Sequence, residues 1–143
     1  MKHNLILRLV AKMLIPLIFL FGLYVQFHGD FGPGGGFQAG VIFAAGIILY
    51  GLIWGVETAK QIIPPAVLKL LASFGLFLYA STGVAALILG GNYLEYTVLA
   101  DEQIAGQHLG ILVIEAGVGI TVMSVMLIIF FAFAERGQAE EAG

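Results

Sequence analysis

Four side chains stand out as candidates for handling a proton or a small cation: His28, Asp30, His108 and Glu115. Glu115 is the only acidic residue inside a predicted apolar span, where an ionisable group is costly and normally faces protein or water rather than lipid. His108 precedes it by seven residues, so the two share a helix face but stand about 10.5 Å apart along the axis. They cannot touch; a water or another residue has to bridge them. Gly119 and Val122 continue the same face. Counting from Gln107 puts Glu115 about 12 Å inward, while counting from Glu135 puts it about 30 Å away. Burial would favour its neutral form and a neighbouring cation its charged one. Either a place on an ion path or a hydrogen bond between subunits suits such a carboxylate.

Other chemistries are absent from this sequence. There is no cysteine, which excludes thiolate metal sites, disulfides and thiol catalysis. Three histidines (His3, His28, His108) are too few and too scattered for a metal motif, and no nucleophile–base constellation is present. No metal, cofactor or enzymatic activity is expected, and a net charge of −3 offers nothing to a nucleic acid.

His28 and Asp30 open a glycine-rich stretch that runs to Gly40. Pro33 fixes one backbone angle while Gly34, Gly35 and Gly36 release the others, so the chain can turn sharply and start a helix at Phe37. The unpaired N–H groups of such a start attract anions or carbonyl oxygens. A phosphate-binding loop would need Gly-Lys-Ser/Thr, whereas Phe37-Gln38 follows the glycines and no lysine is near. Two readings stay open: a tight turn at a subunit contact, or an ion entry route using His28 or Asp30.

The elements that position these residues follow from composition. Of 143 residues, 60% are hydrophobic and 10% charged, with a mean hydropathy of +1.02. A soluble domain carries about 25% charged residues, so most of this surface must meet something apolar. A bilayer core about 30 Å thick needs about 20 apolar residues per helix. The predicted fold is all-α, a single membrane domain over residues 1–134 with spans at 9–27, 37–56, 66–89 and 107–134, followed by a polar tail, 135–143. The tail from Gly137 reads as disordered. The first span lacks a cleavage site near Gln26-Phe27-His28 and reads as retained. Pro64-Pro65 breaks the chain before the third span, and Gly90-Gly91-Asn92 ends it.

The basic residues orient this hairpin pair. Lys2, Arg8, Lys12, Lys60, Lys69 and Arg136 all fall on one side of a four-span arrangement, and the two opposite connections contain none. The positive-inside rule makes that side cytoplasmic, with both termini in. Glu57 and Lys60 can pair there, while Tyr93, Glu95 and Tyr96 suit an outer interfacial loop. Gly36-x-x-x-Gly40, Gly51-x-x-x-Gly55 and Gly106-x-x-x-Gly110 put glycine pairs on helix faces, which lets backbones approach closely. Together they favour a component of a larger assembly.

The loop Pro33-Gly-Gly-Gly-Phe-Gln-Ala-Gly40 after a first span resembles the B subunit of the Mrp (Mnh) multisubunit cation/proton antiporters. So does His108-x-Gly-Ile-x-x-x-Glu115-x-Gly-Val-Gly-Ile-Thr-Val122 in the last span. The resemblance covers nearly the whole chain. It implies an accessory subunit in the cell (inner) membrane, needed for assembly and contributing to an ion route. The implied partners are A-, C-, D-, E-, F- and G-like subunits of a complex exchanging Na+ or another monovalent cation for H+. Related subunits of membrane-bound hydrogenase-type complexes are the alternative, and a purely structural scaffold is a third.

Overall fold

The computed structural model describes residues 3–29, 34–96, 99 and 103–141. Those residues form five helices: α1 His3–Phe27, α2 Gly36–Trp54, α3 Val56–Ile62, α4 Pro65–Ile88 and α5 Gln103–Glu141. Four contain stretches long and apolar enough to cross a bilayer: Leu5–Phe27, Gly36–Trp54, Pro65–Ile88 and Ile104–Gly137. The all-helical, four-span architecture expected from composition is therefore the one observed.

Local chemistry sets the boundaries. Gly55 ends α2 with φ 105°, a conformation that only glycine adopts without strain, and its N–H donates to the Gly51 carbonyl. The chain then turns into the short helix α3. Gly55 therefore breaks a helix rather than completing a glycine face with Gly51, which corrects the reading of that pair. Pro65 occupies the first turn of α4, where its missing N–H costs nothing. At the other end Gly90 takes φ 87° and the Gly91 N–H returns to the Ala86 carbonyl, a left-handed helix stop. α5 differs from expectation at its end. It continues through Gly137 to Glu141, because Gln138-Ala139-Glu140-Glu141 are good helix formers and outweigh one glycine.

The long helices pack in the order α1, α2, α5, α4. Small residues sit at each seam. Gly46 receives the Phe19 ring, which stacks on Phe43 with centroids 6.1 Å apart. A Cβ on Gly40 would lie 2.6 Å from the Gly119 carbonyl oxygen, so α2 and α5 meet backbone to backbone. Gly75 does the same for α4 against Gly117, where Thr121 Oγ1 also donates to the Gly117 carbonyl at 2.8 Å. In lipid no hydrophobic force joins helices, and close contact of this kind supplies the packing energy instead. Ser81, Thr82 and Ser124 spend their hydroxyls on their own helix carbonyls. Large apolar side chains such as Leu20, Phe21, Leu70 and Phe77 point outward.

A core of Ala44, Ala59, Leu68, Leu127 and Phe131 gathers α2, α3, α4 and α5 at one end of the molecule. There Lys60 donates to Glu57 at 3.0 Å and to Glu135 across the fold. Its side chain is 13% exposed, and the hydrogen bond to Glu135 raises its pKa above 10.5 against a smaller opposing effect of burial. Lys12 joins the same end, lining a shallow hollow with Tyr50 and Trp54.

Candidate functional site: a carboxylate seated on a glycine turn

The opposite end carries the candidate site. α1 stops at Phe27, and the Gly35 N–H donates back to the Val25 carbonyl at 3.2 Å, closing the reversal into α2. Gly35 caps α2 with φ 120° and no side-chain hydrogen bond to the helix start. The seat that a capping side chain would fill is taken by another helix. Glu115 reaches from α5 so that a Cβ on Gly35 would lie 3.0 Å from its Oε1, and one on Gly29 would lie 2.6 Å from its Oε2. Below the carboxylate, a Cβ on Gly36 would lie 2.7 Å from the Glu115 carbonyl carbon, so the two backbones are in contact. Three glycines thus make the hollow that Glu115 occupies, and the residue is half-buried there.

Its height along the bundle is set by α2. Glu115 stands level with Gly36, the first residue of α2, while α5 begins twelve residues earlier, about 18 Å further out. The carboxylate lies beside the first turn of α2, whose N–H groups have no partner within the helix. The positive end of the α2 dipole lies on that side of the helix.

The two motifs singled out in the sequence therefore meet. Gly35 and Gly36 touch Glu115 directly, Gly34 packs on the Val25 carbonyl beneath them, and Gly40 rests on Gly119 one turn along. Phe37 is exposed and points away. The His28 ring stacks on Tyr24 with centroids 5.0 Å apart, facing an open hollow of about 590 Å³ on the outer side of α1. His108 is exposed two turns from Glu115 along α5. Asp30 and Pro33 lie outside the described residues. Gly106 and Gly110 are both buried, and the Tyr96 ring lies against Gly110. Burial lifts the Tyr96 phenol above its ordinary pKa of 10.0, with Tyr79 and Tyr93 adding to the effect.

Two participants escaped the sequence reading. Gly29 has no assigned role among the glycines of the loop, although it carries the closest approach to the carboxylate. Gln26 reads in the sequence as one residue of the first span, yet it is 9% exposed and its Oε1 stands over Gly119. A lone amide within Leu23-Tyr24-Val25-Gln26-Phe27 was the available signal. Among the described residues no group of three or more His, Asp or Glu side chains is placed to hold a metal ion.

Four crossing helices define a multi-pass protein of the cell membrane. Residues 6–128 match the family described as "Domain related to MnhB subunit of Na+/H+ antiporter", and the chain belongs to that family. Proteins named "Putative antiporter subunit mnhB2" from Staphylococcus aureus strains Newman, JH1 and COL are similar to it. Each is 34% identical over 134 residues, covering 86% of this chain and 94% of the relative. It is a transporter component rather than an enzyme, a subunit of a Na+/H+ antiporter complex.

Proposed function

We propose that this chain is an accessory subunit whose packing faces help the antiporter complex to assemble, and whose Glu115 supplies a fixed negative charge on the route of the exchanged cation. The supporting observation is the seat itself: Gly29, Gly35 and a helix start border one carboxylate at an end of the α2–α5 seam, and Gly36 meets the backbone beneath it. A helix start beside the carboxylate favours its ionised form, the form that a passing cation meets.

The segregation of basic residues supports an orientation with both termini cytoplasmic, which puts the Lys12–Lys60 end inside and the Glu115 end towards the exterior. Na+ and H+ are the exchanged ions, and A-, C-, D-, E-, F- and G-like chains are the partners in this reading. The deciding experiment compares Glu115→Ala with wild type in everted vesicles, measuring antiport beside the amount of assembled complex. Antiport should fall well below the fall in assembly. Unchanged transport at normal complex content would remove Glu115 from the route.

A further inference from the structure

At the end of the molecule opposite the Glu115 seat, α1 and α2 border an open hollow of about 260 Å³ lined by Lys12, Ile15, Pro16, Tyr50 and Trp54. The Tyr50 and Trp54 rings stack with centroids 4.7 Å apart, and Trp54 is the last residue of α2. Aromatic side chains at the end of a crossing helix mark the level where hydrocarbon gives way to headgroups. Lys12 shares the hollow with them and so stands at that level. It is exposed and forms no ion pair among the described residues. Glu57 and Glu135, at the same end, both engage Lys60.

Pro16 adds a second polar group. A proline inside a helix supplies no N–H to the carbonyl four residues before it, and in α1 that carbonyl belongs to Lys12. An ammonium and a carbonyl deprived of its helix donor thus meet at one residue, on the rim of an otherwise apolar hollow. Towards the bilayer centre the same face of α1 continues in Leu20, one turn beyond Pro16 and 64% exposed. An anion at headgroup depth, a hydroxyl beside it and hydrocarbon running inward are parts of one molecule, an acidic phospholipid. Basic pockets between helices at the membrane surface suit such headgroups. A helix from a neighbouring subunit would have to carry a carboxylate at this depth to answer Lys12, which is costly.

We infer that this hollow binds an anionic phospholipid, its phosphate on the Lys12 ammonium, a headgroup hydroxyl on the Lys12 carbonyl, and an acyl chain laid over Pro16 and Leu20. The inference needs only a chain that crosses the membrane. It does not depend on the role proposed for Glu115.

The test uses the intact complex with a photoreactive benzoylphenylalanine placed at Leu20. It is reconstituted in vesicles of dioleoylphosphatidylcholine with dioleoylphosphatidylglycerol as the minor component. After irradiation, mass spectrometry of the α1 peptide should find phosphatidylglycerol adducts about fivefold above that lipid's share of the bilayer, the effect of one lysine on an anionic lipid. Lys12→Gln should bring the adducts down to the bulk ratio, and Lys12→Arg should keep the enrichment. Adducts in the bulk ratio with Lys12 in place, adducts to a peptide of another subunit, or enrichment unchanged by Lys12→Gln would each overturn the assignment. The enrichment in the wild-type background and in Lys12→Arg decides the matter even if the Gln variant assembles poorly. Antiport is not the readout, so failure here and failure of the Glu115 proposal give different results.

Discussion

Gly29 leaves the space into which the Glu115 carboxylate fits: a Cβ at residue 29 would come within 2.6 Å of Oε2. The obstacle at this position is the far end of a flexible side chain, which can swing aside. Gly29→Ala is therefore expected to leave complex assembly close to wild type while displacing the carboxylate. The variant should show antiport reduced severalfold at matched complex content, measured in everted vesicles. Normal transport would mean that the position of the carboxylate does not matter.

Gly36 is the opposite case. A Cβ there meets the Glu115 backbone, with its carbonyl carbon 2.7 Å away, and a backbone held in a helix cannot swing aside. Gly36→Ala should force α2 and α5 apart at a cost of about 1–3 kcal/mol. Gly40→Ala, against the Gly119 carbonyl, should behave alike. Both are expected to lower the thermal stability of the solubilised complex and its yield, with transport falling in proportion.

The Lys60–Glu135 contact makes a prediction with a pH sign. Lys60 titrates above 10.5 in the folded chain because Glu135, and less strongly Glu57, hold its proton. A pKa raised by folding contributes stability that is complete below the unfolded value and is lost as pH climbs through the folded one. Glu135→Gln removes the main cause. Its melting deficit relative to wild type should be present at pH 8 and shrink above pH 10.5. A deficit that persists unchanged at high pH would assign the loss to packing rather than to the ion pair.

Orientation is open to a direct check. A reporter fused after Gly91 should be exported, and one fused after Arg136 should stay in the cytoplasm. A cytoplasmic signal from the Gly91 fusion would reverse the side assigned to the Glu115 seat.

The four spans were readable because hydropathy acts on each segment by itself, and Pro64-Pro65 and Gly90 act on the residues beside them. Lys60 with Glu57 was readable for the same reason, being three residues apart on one helix. The seat was only half legible. Spacing put Glu115 on a face and the glycines in a turn, but which helix meets which face depends on the order α1, α2, α5, α4, and no local pattern encodes that order. Gly55 was misread because the glycine-pair pattern is identical whether a helix continues or stops. Its φ of 105° follows from the turn into α3. Gln26 was missed because amides are tolerated within apolar helices, and its burial comes from α5 closing over it.

The charge of Glu115, rather than its shape, is what the proposed cation route needs. Glu115→Gln keeps the length, the volume and a hydrogen-bond acceptor, so a side chain needed only for docking would tolerate it. The decisive measurement is Na+-dependent proton exchange in everted vesicles carrying Glu115→Gln, at complex content matched to wild type. The account predicts normal assembly with exchange reduced about tenfold or more, corresponding to about 1.4 kcal/mol of lost transition-state stabilisation. Exchange at the wild-type rate would contradict it.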